Sequence, residues 1–442
     1  MYRILAVATA AALVPVAGAA SAQVSTPATP RVGAPTTPEQ VGPPAPTPRP
    51  DLPLLAPREG PLPSSLTLQQ ALEEAAARSP AVIAARARVE AAEARIRQAG
   101  FRSNPELSVE VENFLGSGEL SGFQGTETTV AVNQRLDLGG RRRSRVGAAR
   151  AELLAEQLRL AIARADLAQA VRQQFATAAT ARERLRIATE SEERARELAR
   201  IAGILVEEGR EPPLRAIRAR SAAAQAAAAL EAARAEERAA RGTLASLFGV
   251  STPPDAVIGA LLDLQPRTIN PEQSLEVRLA EAERLVAEAE VAQQRTAGRL
   301  DPAVGIGVRH VQETGDVGLV AGLSMPLAVF DRNQGNIAAA RAGVRAAEAN
   351  LASASASARV RAANAITSVE AAAARVEALE GAAIPEATEA LRLAQLAYRE
   401  GRATLLELLD AQEDYRNAQT ALVEARLAQA QATAELGRVA AQ

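Results

Sequence analysis

Two glycine-centred interruptions constrain what this chain can fold into. Glu208-Gly209-Arg210 and Glu400-Gly401-Arg402 break an otherwise helical pattern, and their glycines lie 192 positions apart (401 − 209). Glycine lets a chain leave a helix through a left-handed turn. Pro212 and Pro213 suit the start of the helix after the first interruption, and Thr404 suits the cap of the helix after the second. Each interruption therefore reads as the tip of a helical hairpin, and a tip duplicated at fixed spacing makes the chain a tandem repeat. About 65 residues of helical pattern lead from Arg141 to roughly Leu205, a helix about 100 Å long. Leu153, Leu160 and Leu167 recur every seven residues along it, as in a coiled-coil seam. A helix of that length needs neighbours of equal length to cover its apolar stripe. A return helix from about Leu214 to Phe248, stacked end to end with a leading helix, supplies one.

The chain before and between the long helices fits the same scheme. Thr67 and Gln70 have capping-box spacing, and the first helix is expected to end at Arg78. Ser79-Pro80 restarts a helix that carries Val82, Val89 and Ile96 and ends at Gly100. In the second half a helix from about Pro271 reaches Gly298. A long helix spans about Asn333 to Tyr398, with an expected kink at Pro385. The return helix places Leu408, Tyr415 and Leu422 seven apart. Two strands precede each long helix. Leu107, Val109 and Val111 alternate with Glu106, Ser108, Glu110 and Glu112, and Val130 and Val132 continue the pattern within 126–138. In the second half Val304, Ile306 and Val308 form one strand, and Val317, Leu319, Ala321, Leu323 and Met325 form the next. Strands of this length with one carboxylate-bearing face suit a membrane barrel lined by water, although the alternation alone fits a soluble hairpin as well.

Composition narrows the function. Net charge is −2, which argues against a nucleic-acid partner held by bulk charge. Aromatic residues make up 2% and tryptophan is absent, so alanine-rich helix packing replaces an ordinary thick core. Cysteine is absent, so no disulfide, thiol chemistry or lipidated cysteine is expected. His310 is the single histidine, which leaves little from which to build an enzyme site or a soft-metal site. No cofactor is expected. Residues 1–22 read as a secretory signal, with Arg3, an apolar run and Ala20-Ser21-Ala22. Residues 23–64 hold about half of the 25 prolines and read as an extended linker. The first repeat then spans 65–265, with strands over about 105–138 and its tip over about 205–213. The second spans 266–442, with strands over about 302–327 and its tip over about 397–404. The expected fold is mainly α with a small β part. Four strands are too few for a membrane barrel and open edges cannot face lipid, so three copies closing about twelve strands are expected.

Several local motifs resemble those of the TolC-like outer-membrane efflux protein family, over about residues 66–440. They are Leu66-Thr67-Leu68 with Ala71-Leu72, Ser79-Pro80, Leu138-Gly139-Gly140-Arg141 and Ile384-Pro385-Glu386-Ala387. The most specific is Tyr398-x-x-Gly401 with Leu405-Leu406-x-Leu408-Leu409-Asp410-Ala411-Gln412. Asn104-Pro105-Glu106-Leu107 with Val109-Glu110-Val111-Glu112-Asn113 resembles the heavy-metal, cobalt–zinc–cadmium branch. The resemblance implies a homotrimeric α/β barrel in the outer membrane with a periplasmic helical tunnel. It also implies a periplasmic adaptor (a membrane fusion protein) and an inner-membrane pump of the resistance–nodulation–division class as partners, the protein itself being a passive duct.

On that resemblance Glu407 and Asp410, three apart on one helix face, fall where relatives carry an acidic ring that narrows the tunnel entrance. A solvated face is the alternative. The first repeat carries Arg215 and Arg218 at the matching positions, a sign reversal that permits ion pairs between neighbouring helices. The tips, Glu208, Gly209 and Arg210 with Glu400, Gly401 and Arg402, are candidate adaptor contacts or plain helix turns. Arg141, Arg142 and Arg143 read as a solvated or lipid-headgroup cluster at the membrane edge, or as a selectivity element. His310 reads as an interfacial or lumen residue, and Glu106, Glu110 and Glu112 as candidate lumen carboxylates. The competing function is a periplasmic coiled-coil scaffold or adaptor without a barrel, or a duct for drugs or other small organic molecules.

Overall fold

The structure, a computed structural model, describes residues 60–441 apart from 116, 121, 260–268 and 300. The expected signal at 1–22 and the linker residues 23–59 lie outside the described residues. From residue 60 the chain is already engaged. Arg78 donates to the Gly60 carbonyl at 2.7 Å, and Leu62 packs on a buried cluster around Phe175, Leu244 and Phe248. The stretch read as linker to residue 64 therefore ends earlier than its composition suggests.

The first repeat contains β1 (Ser65–Leu66), α1 (Leu68–Arg78), α2 (Pro80–Gly100), β2 (Glu106–Glu112), β3 (Glu127–Arg135), α3 (Arg141–Glu207) and α4 (Pro213–Ser246). A two-residue strand β4 (Ala256–Val257) follows. The second repeat contains α5 (Leu275–Ala297), β5 (Ala303–Val311), β6 (Val317–Ser324), α6 (Gln334–Ala378), α7 (Ile384–Arg399) and α8 (Leu405–Val439). The capping box at Thr67 and Gln70 forms in both directions. Ser79 precedes α2, but its side chain makes no capping hydrogen bond, and Pro80 alone marks the restart. Strand β1 pairs in parallel with β4, a contact hidden in what reads as connector.

Helix α3 is 67 residues long, and the shorter helices cover it end to end. Both α2 and α4 pack along it and meet where Gly249 lies beside the Pro80 ring. In the second repeat α5 and α8 pack along α6, and Arg438 near the end of α8 binds Glu276 at the start of α5 at 2.6 Å. Small residues dominate the contacts: Ala155, Ala176, Ala178 and Ala181 of α3 are buried. Alanine at such positions lets helix backbones approach closely and costs no side-chain entropy. Before Pro385 the helix widens into a π turn over Leu379–Ala383 instead of breaking. Proline lacks the N–H that would bond the carbonyl four residues back, and a single wide turn absorbs that mismatch.

Strands β2, β3, β5 and β6 form one antiparallel sheet in that order, so β3–β5 pairing joins the two repeats. Its faces are chemically opposite. Glu106, Ser108, Glu110 and Glu112 share one face with Asn133, Thr129, Glu127 and Arg309. Leu107, Val109, Val130, Ile306, Val308 and Leu319 share the other. That apolar face is open, with Leu107 70% and Leu319 83% exposed. The polar face is crowded: a Cβ at Gly305 would meet Asn133 Oδ1 at 2.2 Å, and one at Gly307 the Val130 carbonyl at 2.6 Å. Glycine at these two positions lets the neighbouring strand and its side chains approach where a Cβ would not fit. Arg309 adds a positive charge to the face that carries the β2 carboxylates. It bonds Glu112 at 3.1 Å, Glu127 at 2.8 Å and Thr129 at 2.9 Å. His310 stands on the apolar face near the β5–β6 turn, 3.3 Å from Gln312.

The sheet joins the helices through arginines. Arg141 at the start of α3 donates to the carbonyls of Thr296 (3.2 Å), Ala297 (2.7 Å) and Arg299 (3.0 Å) and binds Asp301 at 2.9 Å. It thus caps the C-terminus of α5 across the repeat boundary, so it is not part of a solvated cluster. Arg141→Met leaves the nearly buried Asp301 without its cation and several helix carbonyls unpaired. It is expected to cost about 2–3 kcal/mol, read as a lower unfolding midpoint of the purified protein, with Asp301→Asn in the same chain restoring part of the loss.

Candidate channel entrance at the two hairpin tips

The two tips close in the same way. Gly209 and Gly401 both take left-handed backbone angles, φ +71° and +73°. At the first tip Gly209 N–H donates to Val206 O and Arg210 N–H to Leu205 O. At the second, Gly401 N–H donates to Tyr398 O and Arg402 N–H to Ala397 O. Both are Schellman closures, which satisfy the last helix carbonyls only when the turn residue tolerates positive φ. Each arginine then folds back on its glutamate, Arg210 to Glu208 at 3.6 Å and Arg402 to Glu400 at 3.3 Å. The tips are held together by a small core of Leu198, Ala202, Ala219, Leu391, Leu405 and Leu408.

Between them lies an open cleft of about 910 Å³. Its wall includes Arg210, Glu211, Arg215, Tyr398, Glu400 and Arg402. Arg215 pairs with Glu211, four residues back in the tip before α4. Burial and the Glu211 carboxylate push the Tyr398 hydroxyl above its ordinary range, with Arg215 opposing. Glu211 and Tyr398 both line this cleft beside the glycine turns. The signal for Tyr398 is the Tyr-x-x-Gly spacing itself.

Glu407 and Asp410 are exposed on the side of α8 opposite the buried Leu405 and Leu408. Glu407 also has a structural task. Its carboxylate accepts from Thr404 N–H at 2.6 Å while Thr404 Oγ1 accepts from Glu407 N–H at 3.3 Å, a complete capping box. These hydrogen bonds hold its carboxyl below the usual carboxylate range, so it stays ionised at neutral pH. Asp410 and Arg218 have no ion pair among the described residues, and Arg215 pairs with Glu211, so within one chain Glu407 and Asp410 do not meet Arg215 and Arg218. Asp414 extends the exposed acidic stripe by another turn, a residue that the i, i+3, i+7 spacing marks. The described residues contain no group of histidine, cysteine or carboxylate side chains arranged to hold a metal ion.

The tandem helical hairpins with paired tips and the amphipathic sheet accompany a sequence match to a family of outer-membrane efflux channels, transport ducts and not enzymes. The sequence pattern of the family described as Outer membrane efflux protein matches residues 71–250 and 271–442, and the chain belongs to that family. It is 34% identical over 286 residues to the nickel and cobalt resistance protein CnrC of Cupriavidus metallidurans, covering 64% of this chain and 68% of that one. It is 30% identical over 355 residues to the cobalt-zinc-cadmium resistance protein CzcC of the same organism, covering 78% and 83%. Among solved structures, the outer membrane protein VceC of Vibrio cholerae superposes with a TM-score of 0.71 at 23% identity, covering 85% of this chain and 96% of that one. The MtrE outer membrane channel of Neisseria gonorrhoeae superposes with a TM-score of 0.71 at 22% identity, covering 87% and 93%. These two share the fold.

Proposed function

We propose that three copies of this chain close a barrel in the outer membrane and continue it as a periplasmic helical tunnel, a passive duct for heavy-metal cations. The observation that carries this reading is the four-stranded sheet. Its apolar face is exposed, its polar face is lined by carboxylates and glycines, and its outer strands β2 and β6 each keep an unpaired edge. Edges of that kind are satisfied in a bilayer only by closure. Three copies supply about twelve strands, within the range of membrane barrels. The polar face then surrounds water and the apolar face meets lipid. The helical body needs no membrane span of its own, and none of the described helices is long and apolar enough to cross one.

Cargo follows from two supports. The relatives carry nickel, cobalt, zinc and cadmium resistance in their names, and the exposed stripe of Glu407, Asp410 and Asp414 would place carboxylates around the tunnel mouth. The described residues hold no such metal-binding group, and in this reading the cation passes hydrated, drawn by charge and not captured. An adaptor seats at the Gly209 and Gly401 tips, in the cleft beside Tyr398, Arg210 and Arg402, and couples the duct to an inner-membrane pump that supplies the energy.

Extraction and mass measurement test the assembly: the protein is expected to require detergent and to run as a trimer. A stable, water-soluble monomer would instead favour the periplasmic scaffold. Growth of a deletion strain tests the cargo, with sensitivity expected to cobalt, zinc, cadmium or nickel. Sensitivity to organic drugs alone would assign the duct to those molecules.

A further inference from the structure

We propose that the junction between sheet and helices binds the headgroups of anionic phospholipids, resting on the outer-membrane reading above. Four chain segments meet there. Arg142 reaches the Gly100 carbonyl and Arg145 the Phe101 carbonyl, both at 3.3 Å. Arg299 reaches the Gly139 carbonyl at 3.0 Å, and the Arg332 backbone lies against Gly298. Residues 101–105, 136–145, 298–302 and 325–334 together carry seven arginines and three aspartates, an excess of four positive charges per chain (7 − 3). Two of the aspartates are already used: Asp301 by Arg141 and Asp137 by Arg145.

Three of these arginines are free to take a ligand. The side chains of Arg102, Arg143 and Arg332 are exposed and have no hydrogen-bond or ion-pair partner among the described residues. They are interleaved with exposed apolar side chains: Phe101 is 63%, Leu138 74%, Leu327 71% and Phe330 93% exposed. This rim lies at the helix-side end of the sheet, where the apolar face stops. A guanidinium beside exposed aromatic and aliphatic groups at the edge of an apolar band matches a lipid phosphate above its acyl chains. The opposite, loop end of the sheet has the reverse sign. Glu112 and Glu127 flank Arg309 there, and Glu313 and Asp316 lie in the adjoining β5–β6 turn. The charge excess thus belongs to one leaflet, and it selects an acidic headgroup such as phosphatidylglycerol over a zwitterionic one.

The test uses the full-length protein reconstituted in nanodiscs of phosphatidylcholine alone or of phosphatidylcholine and phosphatidylglycerol in equal parts. Lipids retained on the re-extracted protein are then counted by native mass spectrometry. The wild type is expected to retain phosphatidylglycerol in preference to phosphatidylcholine. Arg102→Gln with Arg143→Gln and Arg332→Gln is expected to lose that preference at least tenfold, since each basic residue at an anionic surface accounts for about fivefold. None of the three side chains holds the fold together, so the triple variant should keep its assembly. A variant that fails to assemble is replaced by the three single substitutions, each expected to weaken retention. Equal retention of both lipids by the wild type, or an unchanged preference in the variants, overturns the proposal. So does competition by glycerophosphate as effective as by intact lipid, which would make the site one for free phosphate. A wild-type protein that does not enter nanodiscs at all fails the outer-membrane reading itself, a result distinct from insertion without lipid preference.

Discussion

Glu407→Gln combined with Asp410→Asn is expected to raise single-channel conductance about twofold or more and to weaken cation selectivity, because a ring of carboxylates focuses negative potential in a narrow mouth. Two charges lost from each of three chains remove six. Block by multivalent cations should weaken about tenfold, because the focused potential that concentrates them at the mouth is gone. The amides are chosen for a structural reason. Glutamine still accepts from Thr404 N–H and completes the capping box, so trimer yield should stay at the wild-type level. Glu407→Ala with Asp410→Ala should open the entrance as well, with some added loss of stability from the broken cap. Arg215→Glu with Arg218→Glu should open it by repulsion, since the new carboxylate at 215 would face Glu211 in the wall of the cleft. Double variants that retain wild-type conductance and cation block would make these four residues a solvated face and put the constriction elsewhere.

Leu319→Arg is expected to abolish most membrane insertion, while Val320→Arg, one residue along β6, leaves it largely intact. The two positions lie on opposite faces of the sheet. Leu319 pairs with Val308 on the open apolar face, and Val320 with Gly307 on the polar one. An arginine facing the bilayer midplane costs about 2–4 kcal/mol, whereas a lumen position costs little. Over three chains the first substitution should cut the yield of membrane-extracted trimer more than about tenfold. Equal yields from the two variants would show that the apolar face meets protein and not lipid.

The local grammar of this chain is legible in its residues. Gly209 and Gly401 declare their turns because few other residues accept their φ. Thr67 and Thr404 declare their helices because the acceptor three residues on completes a reciprocal cap. The alternation in β2, β3, β5 and β6 declares two faces because the side-chain period of a strand is two. The contacts that join these pieces are not legible in the same way. Nothing near Arg141 in the chain announces that it caps α5, some 155 residues away. Nothing near Arg309 announces that it enters the carboxylate face of β2 and β3. The charge run at 141–143 looks uniform, yet the fold divides it into a half-buried cap, a hydrogen bond to Gly100 and one guanidinium without a partner among the described residues.

Residue order alone carries the repeat, the hairpin tips, the helix lengths that must match and the two-faced strands. Each of these depends on backbone preferences and periodicities that act within a few residues. Packing in three dimensions settles that β3 pairs with β5 to fuse the repeats into one sheet and that β1 finds β4. It also brings Arg141 to the end of α5, Arg309 to Glu112 and Glu127, and Arg438 to Glu276. Those outcomes depend on which surfaces arrive at the same place. A side chain's charge and reach permit many partners, and only the packing of one repeat against the other selects among them.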